Sequence, residues 1–589
     1  MRSDFWMPVT SIDLASDSML ERVAKAVEAG NTITAASLAA DGSTAIYDAF
    51  FAAAINEDNI DSMFVSWWNG ANVGGVTRTQ LLNRWFSMLN DDKIFGVKFP
   101  KFITSQSSDG ELIEYSATLG VCTPSTNTVK GKDPYCKLPV FWTKEINYEI
   151  DSNGEIDVKA VQGVDSTFNR SGSAGMVGVA QKTGWCQYVD DGSYIYKRYT
   201  STQQSGFYPL PEGVKPDGTT IRPFVVHAKY MAGVGSDGKL TSATHLAPAN
   251  YTYSHNSQIA EWRKRSANCA GISICDLYFR LFMFQLKYAK KGNSGTLEGC
   301  TSYNYQYKAA VSETGVTRIL LTTAQAANLL VGSNVIIGDV GTGTYTDRGT
   351  ASMYSKAKNK RILGINSVVT DGTTYSAVNI ETDTPFDTEA DKTYISTMPW
   401  WSGSCDSVLG LDGSPTNNTN GKEPFIIQGL ESQTGAYPIV ADAIYDNVRT
   451  DVDDRTVWTG EVSVCRRAEN IATSITSDYV KSSSVCTIGP APTSWAWHYI
   501  QDMGFDPKFP EMLNPSAVDG GASSYNGYRA ALSVPADAGS REWRFWGALG
   551  DGGACGLGCS VVGGGLGSAS WYVVAGASGS AGTRGEWKG

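Results

Sequence analysis

Apolar residues recur at helical spacing in two segments near the start of the chain. In residues 16–30 they follow Ser16 or Asp17, either of which can cap a helix, and the pattern ends at Gly30. In residues 77–92 the pattern follows Thr77 or Thr79 and includes a large aromatic residue, Trp85. The spacing therefore predicts two helices in a small N-terminal module.

A third helical pattern lies in the middle of the chain, in the segment CDLYFRLFMFQLKYAKKGN that begins at Cys275. Leu277, Leu281, Phe284 and Tyr288 fall on one face, and Gly292 can end the helix. An aromatic face of this kind is more often part of a core than a ligand groove. We expect a buried helix here.

Short alternating runs predict strands elsewhere. Asn153-Gly154 joins two such runs in NYEIDSNGEIDVKAV, a pattern typical of a β-hairpin. Residues 316–400 alternate apolar runs with Gly and Asp-Gly turns, which predicts a small β-barrel or sandwich inserted into the surrounding region. We therefore expect an α+β, mostly β protein with four parts: an N-terminal module over 1–90, a first region over 91–315, the insert over 316–400 and a terminal region over 401–589.

The segment between Gly547 and Trp587 is rich in glycine, yet it also carries two tryptophans and several β-branched residues. A flexible linker would lack such large apolar side chains. Trp571 and the valines around it need packed neighbours, so the segment is expected to be folded.

Composition excludes several classes of partner. The formal net charge of −11 repels polyphosphates and no basic run offsets it, so no nucleic-acid partner is expected. The sequence has neither a signal-peptide pattern nor an apolar stretch long enough to span a bilayer, so no membrane insertion is expected. The eleven cysteines include no C-x-x-C pair, which favours buried, reduced thiols.

No catalytic motif stands out, and we predict neither an enzyme nor a cofactor. The four histidines lack metal-ligand spacing, and Cys555 and Cys559 lie in a segment without a cationic neighbour. Asp451, Asp453 and Asp454 are a calcium site or a solvated acidic turn, and no metal site is assigned. Paired carboxylates for glycoside hydrolysis leave no fixed spacing in a sequence, so that chemistry stays open.

A family resemblance rests on the chain end and on one upstream segment. REWRFWGALGDGGACGLGCSVVGGGLGSASWYVVAG, followed by GASGSAGTRGEW, resembles the C-terminal C-type-lectin-like domain of phage tail-fibre and receptor-binding proteins. It is also similar to the variable proteins of diversity-generating retroelements, of the major tropism determinant kind. Upstream, GLESQTGAYPIVADAIYD is similar to the G-x-E-x-x-x-G segment of the same fold.

The resemblance implies a rigid scaffold with changeable side chains between its fixed positions. The scaffold positions it implies are Gly547, Leu549, Gly552, Gly556, Leu557, Leu566, Trp571 and Gly576. The receptor-binding positions it implies are Ala548, Gly550, Asp551, Ala554, Ser560, Val561, Gly563, Ser568, Ser570 and Tyr572. Antibody paratopes likewise combine tyrosine and tryptophan with small polar residues.

These observations give an expected function and two alternatives. We expect a virion-located phage fibre or receptor-binding protein that contacts a host-cell-surface receptor, glycan or protein, through its terminal region. Its N-terminal module would attach to other virion proteins, and the chain would form a homo-oligomer, a trimer by preference. The alternatives are a passive structural protein of the virion head or tail and a glycan-degrading enzyme.

Overall fold

The computed structural model describes residues 44–101, 109–340, 347–452, 455–506, 508–511, 513–519, 528, 530–552, 555–579 and 584–588. Strands account for 38% and helices for 15%, so the prediction of a mostly β protein is confirmed. The helix predicted over residues 16–30 lies outside these ranges. Of the helices within them, none combines the length and apolar character needed to cross a membrane.

Three helices open the described chain: α1 (Thr44–Ala54), α2 (Ile60–Ala71) and α3 (Arg78–Met88). Helix α3 confirms the prediction over residues 77–92. Thr77 is its cap, and its hydroxyl accepts from the amide of Gln80 while the Gln80 side chain accepts from the amide of Thr77.

Two sheets follow the three helices. Their strands are β1 (Ile94–Pro100), β2 (Glu111–Glu114), β3 (Thr143–Ile150), β4 (Ile156–Val161), β5 (Met176–Lys182), β6 (Trp185–Asp190), β7 (Tyr194–Thr200), β8 (Tyr208–Pro209) and β9 (Phe224–Ala228), with the short helix α4 (Ser116–Leu119) after β2. One sheet has the order β2-β1-β7-β6-β8 and the other β4-β3-β5-β9. The predicted hairpin is confirmed as β3 and β4, with Gly154 at a φ of 78°.

The four-stranded sheet and helices α1 to α3 share one apolar core. Trp67, Trp85 and Trp142 pack against one another in it, with ring centroids 5.4 and 5.7 Å apart. The described part of the predicted 1–90 module therefore packs directly onto the region that follows it.

A long buried helix lies at the centre of the molecule. After the two-residue strands β10 (Gly233–Val234) and β11 (Leu240–Thr241) come α5 (His255–Arg263) and α6 (Ile274–Tyr288). The predicted apolar face of α6 is buried, and so is the rest of the helix, including Arg280 and Lys287, which the pattern did not predict. Ser273 caps its first turn together with Asp276. The helix ends at Ala289, which adopts a left-handed φ of 51°, and not at Gly292.

The predicted insert is a β unit with its own core, and it begins at Gln306 rather than at residue 316. Its elements are β12 (Gln306–Lys308), β13 (Glu313–Val316), β14 (Arg318–Leu321), α7 (Thr323–Ala326), β15 (Asn334–Asp339), β16 (Ala357–Thr370), β17 (Thr373–Ile380), β18 (Phe386–Thr388) and β19 (Thr393–Met398). The sheet order is β12-β19-β15-β16-β17-β14. Its two edges approach each other where the amide of Ala310 donates to the carbonyl of Leu320 at 2.8 Å, so the sheet is nearly a closed barrel.

The terminal region forms a nine-stranded sheet and a small hairpin. The hairpin is β20 (Phe425–Ile427) and β21 (Leu430–Ser432), and the sheet contains β22 (Tyr437–Val452), β23 (Arg455–Val464), β24 (Val480–Ile488), β25 (Ala496–Met503), β26 (Pro515–Asp519), β27 (Ala531–Val534), β28 (Gly539–Trp546), β29 (Gly556–Val561) and β30 (Val573–Ala575). The order is β24-β23-β22-β28-β29-β27-β25-β26, and β30 pairs with β22 in parallel. The two edge strands of this sheet, β24 and β26, also approach each other. Asn514 Nδ2, beside β26, donates to the carbonyl of Ser484 in β24.

Candidate functional site

Two loops connect the last three strands of the nine-stranded sheet. The first joins β28 to β29, and the second, residues 562–572, joins β29 to β30; we call the second the terminal loop. Because β28, β29 and β30 are all paired within the same sheet, both loops are held at their two ends. Ser568, Ser570 and Tyr572 of the terminal loop are half-buried, and Ala569 is exposed.

Three of the predicted receptor-binding residues are buried, which corrects the prediction for them. Ala548, Ser560 and Val561 are at most 7% exposed. Ser560 and Val561 lie in β29, which has β28 on one side and β27 on the other and is buried along its whole length. These side chains have no surface to offer a receptor.

Asp551 also has a structural role that the sequence did not indicate. Its carboxylate accepts hydrogen bonds from the Tyr437 hydroxyl and from the backbone amide of Ala548. Burial raises the pKa of Asp551, against the lowering effect of the Tyr437 hydrogen bond. Gly550 next to it is exposed, and Ala554 lies outside the described residues.

Trp495 covers the start of the terminal loop. A Cβ on Gly563 would overlap the six-membered ring of Trp495, so the ring lies directly on this glycine. A side chain at Gly563, predicted to be a changeable contact position, would therefore have to displace this ring. The indole is 48% exposed although it packs on the loop, and Trp497, two residues further along, is 37% exposed.

A buried ion pair packs against the terminal loop. The carboxylate of Glu542 binds the guanidinium of Arg544, and its second oxygen accepts from the amide of His255 at 3.0 Å. Burial raises the pKa of Glu542 even though Arg544 lowers it. The Arg544 guanidinium lies 5.8 Å from the ring centroid of Tyr572, so the pair also positions this tyrosine.

The inserted β unit contributes the other side of the site. Arg348 lies over the ring of Trp571, 4.9 Å from its centroid, and Trp571 packs against buried residues of the insert. Tyr251 donates its backbone amide to the carbonyl of Ser570 at 3.0 Å, and its ring lies 5.1 Å from that of Tyr354. Tyr251 has a φ of 65°, a strained conformation for a residue with a Cβ.

Five partly exposed aromatic side chains contact the terminal loop, belong to it or contact one another: Tyr251, Tyr354, Trp495, Trp571 and Tyr572. We call this set the aromatic surface. Sequence reasoning identified only Tyr572 as a contact and assigned Trp571 to the scaffold. The alternation of Trp495 and Trp497 in SWAWHY was the one available signal, because large apolar residues two apart lie on the same side of a strand.

Other groups with metal-ligating or nucleophilic side chains lie elsewhere. Asp451 is exposed and accepts from Thr456, whereas Asp453 and Asp454 lie outside the described residues, so the calcium alternative is not tested. The cysteines form no disulfide, and ten of the eleven are buried. Cys555 and Cys559 are fully buried packing residues, as predicted, with their sulfurs 3.0 Å apart.

Comparison with known proteins adds no assignment. No protein-family model matches the chain, and no curated protein matches its sequence.

Proposed function

We propose that the chain is the receptor-binding protein of a phage virion and that the aromatic surface contacts a receptor on the host cell. The observation that carries this proposal is the exposed indole of Trp495, which is fixed on the glycine backbone of the terminal loop. Large aromatic side chains held in place but left in solvent are the residues that dominate binding energies in protein interfaces.

The neighbours of Trp495 support an adhesive role. Ser568 and Ser570 lie between the aromatic side chains and are only half-buried. Small polar groups of this kind can adjust their hydrogen bonds to different partners, whereas tyrosine and tryptophan supply contact area at a low entropic cost. Such a surface suits either a glycan or a protein receptor.

The finer fold and its variation belong to the same proposal. We place the terminal region in the C-type-lectin-like family, supported by its resemblance at GLESQTGAYPIVADAIYD and at the chain end. If a retroelement diversifies this chain, burial removes Ala548, Ser560 and Val561 from the changeable positions. The predicted positions that keep exposed surface among the described residues are Gly550, Asp551, Gly563, Ser568, Ser570 and Tyr572.

Attachment and assembly complete the proposal. The chain would be located in the virion, with the N-terminal module over residues 1–90 contacting other virion proteins. Presentation as a homotrimer would place three aromatic surfaces near one cell, and linked copies bind more tightly than one.

The test is binding of the fluorescently labelled full chain to a panel of bacterial strains, measured by flow cytometry. Trp495→Ala and Tyr572→Ala should each reduce binding to a recognised strain, Trp495→Ala by about 2 kcal/mol or about 30-fold in Kd if it is an interface anchor. Tyr194→Ala is the matched control, because Tyr194 is 40% exposed in a different sheet.

Binding that survives both substitutions but is lost in other surface variants would contradict the assignment of the surface. The absence of binding to every strain would favour the passive structural alternative. Release of oligosaccharide from host surface material would instead show turnover and favour the enzyme.

A further inference from the structure

Three ionisable side chains meet in the interior, far apart in sequence. Glu212 lies in a single 3-10 turn (Pro211–Gly213), His227 in β9 and Asp276 in the first turn of α6. All three are at most 2% exposed, and one ligand atom from each lies within 4.8 Å of the others.

The imidazole of His227 is held in one orientation. Its Nδ1 is 2.7 Å from Asp276 Oδ1, and the other oxygen of Asp276 accepts from the Ser273 hydroxyl at 2.8 Å. The ring is stacked on Phe279 with the centroids 4.2 Å apart. Since Asp276 accepts from Nδ1, the ring presents Nε2 as its free, basic nitrogen.

Several polar atoms of this group have no partners in the described part of the chain. His227 Nε2 makes no hydrogen bond there, and neither carboxylate oxygen of Glu212 bonds to another described residue. The hydroxyl of Thr183, which lies against Gly213, is also unpaired. Buried polar atoms are rarely left in this state, so the group points to a ligand.

The nearby arginines pair with other groups. Arg280 donates to the backbone carbonyls of Asp276 and Ala228, and Arg584 is paired with Asp442. No hydrogen bond joins the Glu212 carboxylate to a described cation.

A second cluster of the same type differs because a lysine lies between its carboxylates. Cys122, Asp133 and Asp412 also have ligand atoms within 4.8 Å of one another. There, however, Lys287 Nζ lies 2.7 Å from Asp133 Oδ2 and 2.8 Å from Asp412 Oδ2, so the protein supplies the cation itself. Around Glu212 the described residues supply no such ammonium group.

We propose that Glu212 and His227 bind a divalent transition-metal ion, with zinc the best match, and that Asp276 orients the imidazole. Imidazole nitrogen and carboxylate oxygen are both zinc ligands, and a carboxylate behind the ligating histidine is the usual support for it. The ion would join the Pro211–Gly213 turn, β9 and the start of α6. Because the site is buried, the metal would enter during folding.

The experiment uses the full chain, unfolded in guanidinium with a chelator and refolded with or without Zn²⁺ alone. Wild type should retain about one zinc per chain after gel filtration, measured by mass spectrometry of the metal, and should melt at a higher temperature than the zinc-free sample. Refolding with Co²⁺ should give visible d–d absorption bands.

Variants locate the ion. Glu212→Gln and His227→Gln should lose the bound zinc, and Asp276→Asn should weaken zinc binding by about 10- to 100-fold. Glu431→Gln is the matched control, because Glu431 is equally buried but accepts from the amides of Gly403 and Cys405. It should bind zinc like the wild type.

Two results would overturn the proposal. Wild type could retain no metal and melt at the same temperature with and without zinc. Alternatively, Glu212→Gln could bind as much zinc as wild type. If a variant does not fold, the wild-type comparison still decides the matter.

Discussion

The ring of Trp495 occupies the space that a side chain on Gly563 would need. The glycine thus lets the outer edge of the indole approach the backbone of the terminal loop, while almost half of Trp495 remains in solvent. A large binding side chain that is already fixed loses little freedom when a partner arrives, which favours affinity.

Gly563→Ala should therefore disturb both the fold and the surface. The added methyl group must displace the indole or the loop, and overpacking of this kind costs about 1–3 kcal/mol. Urea denaturation measures the loss of stability, and cell binding measures the loss of function. Gly567→Ala is the control: a Cβ there meets no atom within 4 Å, so both readouts should stay near wild type.

Substitutions at Asp551 and Ser568 should distinguish a loss of stability from a loss of binding. Asp551→Ala removes the acceptor used by the Tyr437 hydroxyl and the Ala548 amide, so it should lower the free energy of unfolding by about 1–3 kcal/mol. Ser568→Ala should change stability by less than about 0.5 kcal/mol yet weaken cell attachment. A fully stable Asp551→Ala protein would show that these hydrogen bonds contribute little.

Glu431 should make stability depend on pH. It is buried and accepts from the amides of Gly403 and Cys405 and from the Ser404 hydroxyl. Burial, and then Asp406, raises its pKa to about 7, against about 4.3 in an unfolded chain. The folded state therefore binds a proton more tightly than the unfolded state does, and stability is lost as the pH rises between these values.

The size of this effect follows from the shift. At about 1.36 kcal/mol per unit, the contribution that disappears by pH 7.5 is about 3 kcal/mol. Urea denaturation at several pH values should show that Glu431→Gln loses less stability than wild type over this range. Equal pH dependence in the two proteins would mean that Glu431 is ionised in the fold without cost.

Thiol reactivity should report the integrity of the core. Of the eleven cysteines only Cys136 is half-buried, and burial raises its pKa to about 11. A thiol reagent should modify at most this residue, slowly, in the native protein, and all eleven in denaturant. Cys136→Ser should abolish the native reaction, whereas rapid modification of several thiols would reveal a more open core.

Local signals predicted the elements that depend on neighbouring residues. Thr77 and the apolar face after it predicted α3, and Asn153-Gly154 predicted the hairpin, because capping and turn formation involve residues only a few positions apart. The insert was recognised for a related reason: its turns recur regularly and its core is made almost entirely of its own residues.

The candidate site was harder to predict because distant strands build it. Nothing in the sequence near Ser560 and Val561 indicates that β27 and β28 pair on either side of them. Trp495 belongs to the site only through its contact with Gly563. Likewise, Glu212, His227 and Asp276 come from three separate elements, and their spacing in the sequence matches no metal-binding motif.

One hydrogen bond in the core joins residues that are synthesised far apart in time. The Tyr148 hydroxyl, in the core beneath the first helices, donates to the carbonyl of Ser578, 430 residues later. Ala575 and Ala577 fill the same core, and Trp262 donates to the carbonyl of Gly576. The first half of the chain thus leaves the ribosome long before it can close its own interior, and must remain soluble while it waits for a segment that is translated hundreds of codons afterwards.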